Sequence, residues 1–313
     1  MKSNYFGKLS IITLILLLVL GLGCSAVKST YRLSTKTAKS LTSKLKAGED
    51  PILRKRVLIP HFIDQAGIGK ENTVQITDSL VNLLQKDNHL LIKTLPEQLS
   101  TGENLRSPQY GVIIEPSLIQ KAEEMGMDVL LLGVLNPFES TVKTTGIWPL
   151  RKIKREVEMS VALNALDITN GTLFLTHLET RTIKFEEKEP EGPGDNKSID
   201  FKYLEDPLSE IMEDHASELI FELNNQSWEG KIALDDDKNL RINGGRDIGV
   251  VEGQVFEAFG KGESILSADG REYHIRGNRV GELRADVVMQ DYSIAVSLNG
   301  DQFKEGQIVR VKR

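Results

Sequence analysis

The sequence predicts an α/β chain: an α+β mixed-sheet domain in the order βαβαβββα, followed by a small all-β barrel-like domain. Three observations predict it. Short, fully apolar runs alternate with amphipathic segments over residues 54–135, the pattern of buried strands joined by helices. A period-two alternation follows over Val157–Ala165, as in a half-buried antiparallel strand. From Leu240 onward, glycines punctuate short strand-like runs every ~8–12 residues, which indicates a small barrel or sandwich.

The elements follow in order. Val57–Ile63 is an apolar run bounded by charge and by Gly67 and Gly69, hence a buried strand. Asn72 is a plausible cap for an amphipathic helix through Leu84. His89–Lys93 is a second strand, and residues 95–110 are expected to be irregular. Pro116 suits a first helical turn, Leu118, Ile119, Ala122 and Met125 make one apolar face, and Gly126 ends it. Val129–Leu135 is apolar throughout, as in a strand covered on both sides. Val157–Ala165 and Thr172–Phe185 are returning strands around an Asn170-Gly171 turn, followed by an exposed acidic loop over 186–196. Leu208–Leu223 carries the last helix of this domain. Ser227–Asp237 is expected to be a linker. Strands are then expected at Leu240–Asn243, Gln254–Phe259, Arg279–Met289, Ile294–Leu298 and Ile308–Lys312. The expected domain limits are 54–228 and 229–313.

Ahead of these domains stands an export signal. Lys2 and Lys8 flank a polar start, an apolar run of about 12 residues extends from Ile11 to Leu22, and small residues lead to Cys24, the chain's one cysteine. The run is well short of the ~20 residues a spanning helix needs. A lone cysteine directly after such a run resembles the bacterial lipoprotein signal. That resemblance implies cleavage of residues 1–23 and lipidation of Cys24, with Ser25 behind it favouring the outer membrane and its periplasmic face. The alternatives are an ordinary cleaved signal or an uncleaved anchor. Residues 24–53, rich in Lys, Ser and Thr, are expected to form a flexible tether.

Charge narrows the partners. Losing Lys2 and Lys8 with no acid takes the formal charge from −6 to −8, which argues against nucleic acid. With one cysteine, no internal disulfide forms.

Chemical motifs are sparse. Gly67-Ile68-Gly69-Lys70 lies where phosphate loops sit but departs from the Walker pattern, and reads as a tight strand-to-helix turn able to accept an anion weakly. Asp235, Asp237 and Asn239 start like a calcium loop, yet Leu240 and Arg246 stand where Gly and a bidentate acid are required. His61, His89, His177, His215 and His274 show no ligand spacing and read as structural or surface residues. No G-x-S-x-G elbow is present. No catalytic, cofactor or metal residue is nominated, and the chain is expected not to be an enzyme. The candidate contact is a basic run, Arg151, Lys152, Lys154 and Arg155, just after Trp148. Trp with nearby Lys and Arg suits a membrane surface or a partner; the plainer reading is a solvated strand end with one packed Trp.

Two stretches resemble known families. Val57–Phe62, Ala122–Val134 (AEEMGMDVLLLGV) and Ala162–Phe174 (ALNALDITNGTLF) are similar to the domain shared by the TolB N-terminal region, the curli secretion lipoprotein CsgG, the peptidoglycan-synthase activator LpoB and the middle domain of the flagellar protein FlgT. Leu240–Phe256 (LRINGGRDIGVVEGQVF), Val280–Leu283 and Phe303–Val311 resemble the FlgT C-terminal domain. The resemblance implies a structural or assembly component of an envelope machine, a flagellar basal-body ring before the others, with envelope or basal-body proteins as partners and a homo-oligomeric ring as a possible state. A CsgG-type secretion pore, whose strands enter the membrane, and an LpoB-like synthase activator are the other implied roles.

Overall fold

The computed structural model describes residues 53–95, 116–145, 152–187, 201–235, 237–266, 272–300 and 302–312. The signal peptide, Cys24, nearly all of the tether, residues 96–110 and the 188–196 part of the acidic loop lie outside the described residues. Everything described belongs to one compact unit, Pro51–Arg313.

The first layer is a mixed seven-stranded sheet. Its strands are β1 (Lys55–Ile59), β2 (Ile63–Asp64), β3 (Leu90–Thr94), β4 (Val129–Leu135), β5 (Glu139–Thr145), β6 (Lys152–Asp167) and β7 (Leu173–Glu187). Strand β1 lies parallel between β3 and β4; β6 then runs antiparallel to β4, β5 and β7. Three helices accompany the described strands: α1 (Lys70–Leu84), α2 (Pro116–Glu124) and α3 (Glu205–Asn225).

The two faces of β4 explain its wholly apolar sequence. Val129, Leu131 and Leu135 face the cluster formed with α1 and α3, while Leu130 and Leu132 face α2 through Leu118 and Ala122. All seven β4 residues are buried. Helix α3 contributes Leu208, Ile211, Met212, Ala216, Leu219 and Leu223, spaced three or four apart with one adjacent pair. Full burial of each large aliphatic side chain among them is worth ~1.5–3 kcal/mol. Gly133 is required inside β4 because a Cβ there would lie 2.3 Å from the Phe62 ring.

The second layer is a closed six-stranded antiparallel barrel. It comprises β8 (Glu229–Leu234), β9 (Leu240–Ile242), β10 (Val255–Leu266), β11 (Glu272–Val288), β12 (Ser293–Asn299) and β13 (Ile308–Val311), joined in the order β10-β11-β12-β9-β8-β13. Phe256, Leu283, Ile242, Ile232 and Val309 fill its interior.

Four expectations are corrected. The supposed linker 227–237 supplies β8, a full barrel strand; only Gly230 and Ile232 turn inward, too weak an alternation to read beside the acids at 235–237. Strand β5 was not anticipated, because Glu139–Lys143 are all exposed; continuous pairing to β6 holds it. The first strand ends at Ile59, since Pro60 has no N–H to donate, and resumes as β2 against β4. Helix α1 starts at Lys70 after Gly69 (φ 90°), two residues before Asn72.

Candidate functional site

The described chain begins at a junction between the two layers. Leu53 is buried in the barrel core, and the Arg54 N–H donates to the Ile248 carbonyl at 2.9 Å. The next residue begins β1, the strand between β3 and β4. Thus the first described residues engage the barrel and then the sheet.

Two buried cations stand at the start of β1; Arg56 fastens this junction, and Lys55 ties β1 to α3. Arg56, 4% exposed, forks onto Asp247 of the barrel and also donates to the Asn243 and Asp291 carbonyls, at 2.6 and 2.9 Å. Burial opposes its charge, but the Asp247 bond and neighbouring carboxylates outweigh it and raise its pKa. Lys55 donates its Nζ to the Leu223 carbonyl in the last turn of α3, at 2.7 Å. Burial lowers the Lys55 pKa to about 8, against the pull of Asp167, Asp128 and Glu229.

Asp128 lies beneath this pair. It accepts the Arg56 backbone N–H at 2.7 Å, and burial pushes its pKa up to about 7. Its Oδ1 and the Trp228 indole N–H are both buried without a well-formed bond, and the indole counteracts part of the rise. Lys231 of β8 spans the layers as well, reaching Glu123 of α2 at 3.0 Å.

The glycine loop holds its own anion. The Asp64 carboxylate accepts from the backbone N–H groups of Gly67, Ile68 and Gly69 at 2.8, 3.2 and 2.9 Å. The donors expected to receive an anion are therefore occupied from within the chain. Asp235, just after β8, similarly accepts from the Asn239 backbone and side chain.

The basic run divides. Trp148 and Arg151 lie outside the described residues. Lys152, Lys154 and Arg155 fall on β6, where alternation assigns Lys154 and Arg155 to opposite faces. Arg155 stands opposite Val142 and Phe185; Lys154 stands opposite Lys143 and Glu186. On the latter face Glu156 bridges Lys143 of β5 and Lys184 of β7, so acids offset the bases. Among the described residues the run is a mixed-charge strip rather than one positive patch.

A second polar cluster joins β7 to α3. His177 Nδ1 and His215 Nδ1 are 3.0 Å apart, and Glu179, Arg181 and Asp214 surround them. Sequence spacing could not reveal it, because a strand residue meets a helix residue 38 positions away. Among the described residues no group of three or more metal-ligating side chains gathers, and no helix is long and apolar enough to cross a membrane.

No known family profile matches the chain, and no curated protein matches it by sequence. Several solved structures align with part of the chain. The PelC dodecamer from Paraburkholderia phytofirmans aligns at 14% identity over 55% of this chain and 89% of that one, with a TM-score of 0.31. Lipoprotein GNA1162 from Neisseria meningitidis aligns at 10% identity over 52% and 98%, TM-score 0.30. The LpoB C-terminal domain from Escherichia coli aligns at 11% identity over 46% and 93%, TM-score 0.27. These likenesses are too distant to assign a function.

Proposed function

We propose that this chain is a non-enzymatic lipoprotein, lipidated at Cys24 and held at the periplasmic face of the outer membrane, where it acts as an assembly component of an envelope machine. The observation that carries this reading is the apolar run Ile11–Leu22 closed by Gly23-Cys24. One acyl chain binds a bilayer only marginally, so stable anchoring takes several chains on that cysteine.

The junction supports a mechanical role. A protein tethered at one end and docked at the other must transmit load without unfolding. Here the tether leads into Leu53, and Arg56 locks the layer that follows to the barrel. Within the envelope class, an α/β layer followed by a small barrel favours a FlgT-like basal-body ring component. A secretion pore is disfavoured because Val157, Met159, Val161, Leu163 and Ala165, the apolar face a membrane strand would present to lipid, pack in the cluster with α3.

A deletion strain tests the finer reading. The account expects impaired motility and incomplete basal bodies, restored by the wild-type gene. Normal motility with intact basal bodies would remove the flagellar role, and capture of a penicillin-binding protein from crosslinked envelopes would move the assignment to synthase activation.

A further inference from the structure

We propose that Asn299, at the end of β12, is a self-modification site: in the folded protein it deamidates through the Gly300 amide, and the product loosens the β11–β12 seam of the barrel. The chain holds three Asn-Gly pairs, Asn170-Gly171, Asn243-Gly244 and Asn299-Gly300. Glycine after asparagine lacks the Cβ that would hinder its backbone nitrogen from reaching the preceding side chain. At Asn299 that nitrogen bonds to Cγ and gives up its proton, the Cγ–Nδ2 bond breaks, and ammonia leaves. Water then opens the cyclic imide. Opening on one side gives aspartate; opening on the other gives isoaspartate, with the backbone routed through the side chain. Solvent water is the only co-reactant.

The fold guards two of the three pairs. Between β6 and β7, the Gly171 N–H donates to the Asp167 carbonyl at 2.9 Å, so the attacking nitrogen is engaged. Asn170 Oδ1 accepts from the Thr172 N–H at 2.9 Å and from the Thr172 hydroxyl. In the barrel, Asn243 Oδ1 accepts the Lys231 N–H at 2.6 Å, and Gly244 is buried against Trp228. Asn299 differs. It is exposed, it is the last residue of β12, and Gly300 lies beyond the ladder, exposed as well. Among the described residues none accepts the Gly300 N–H.

The product arises at a tight crossing. Asn299 is paired with Glu282 of β11. Lys312, then Arg279 and Asn299, hold the Glu282 carboxyl below its usual range. A carboxylate at position 299 withdraws the amide donor and sets like charges opposite each other, which destabilises a strand pair. Isoaspartate also adds a backbone methylene where the strands leave no slack. A Cβ on Gly281 would lie 2.4 Å from the Asn299 carbonyl oxygen and 3.1 Å from Gly300 Cα.

The test ages the full chain in detergent micelles, in mildly alkaline buffer at body temperature, beside a portion held unfolded in urea. Peptide mapping by mass spectrometry follows amide-to-acid conversion at each pair. In the folded portion the Asn299 peptide should convert at least about tenfold faster than those of Asn170 and Asn243, whose hydrogen bonds must open first. In urea the three rates should converge. Asn299→Gln should abolish conversion of its peptide. Aged chain, separated from fresh by charge, should exchange amides along Arg284–Val288 roughly fivefold faster, the weight of one hydrogen bond. Folded-state conversion of Asn170 or Asn243 as fast as Asn299 would overturn the proposal. So would an intact Asn299 in folded chain while urea converts it, conversion that persists in Asn299→Gln, or equal exchange in aged and fresh chain.

Discussion

Arg56 of the first sheet strand grips both carboxylate oxygens of Asp247 in the barrel, at 2.8 and 2.7 Å. The two residues are 191 positions apart, and the arginine is nearly inaccessible while Asp247 keeps a fifth of its side-chain exposure. Breaking a buried pair from one side leaves an uncompensated charge, which costs ~3–5 kcal/mol. Arg56→Met should lower the chemical-denaturation free energy by about 3 kcal/mol. A double-mutant cycle with Asp247→Asn should show strong coupling; additive losses would mean that the fork does not join the layers.

Asp128 gives a pH dependence with a definite sign. Its pKa is raised from 3.8 to about 7 in the fold, so the folded protein holds this proton longer than the unfolded chain. The group therefore favours folding in acid and costs stability as pH rises from about 4 to about 7, by up to ~4 kcal/mol. Asp128→Asn should match the wild type near pH 4 and exceed it at pH 8 in urea titrations. Equal midpoints at both would contradict the assignment.

Gly133 sits where the Phe62 ring lies against the strand. Gly133→Ala should cost ~1–3 kcal/mol through overpacking. Combining it with Phe62→Leu should recover part of that loss, which thermal unfolding of the single and double variants would measure.

Asp64 serves three backbone donors before α1. Asp64→Ala should destabilise the fold by about 2 kcal/mol, the scale of charge-assisted bonds lost together at a partly exposed site. It should also speed amide exchange at Gly67–Gly69. Unchanged exchange there would show that the loop holds without its carboxylate.

Much of the fold was legible because burial writes itself into composition. Val129–Leu135 reads as a doubly covered strand since apolar residues fill both faces, and α3 declares itself through its helical spacing. Strand β5 does not, because its backbone pairs while the side chains of Glu139–Lys143 stay in solvent. Lys55 and Arg56 look like a solvated strand start, yet both are buried, since their partners come from Leu223, Asp247 and Asn243, distant in sequence. The histidine pair was hidden for the same reason. The basic run looked like one patch in a linear reading, but strand alternation divides it between faces.

Membrane attachment through Cys24 is the central claim, and fractionation with acyl labelling addresses it most directly. Wild-type chain and Cys24→Ser should be expressed with a labelled palmitate analogue and separated into outer-membrane, inner-membrane and soluble periplasmic pools. The account predicts label and outer-membrane recovery for the wild type, with an unlabelled, soluble Cys24→Ser. Both proteins unlabelled in the same soluble pool would contradict it.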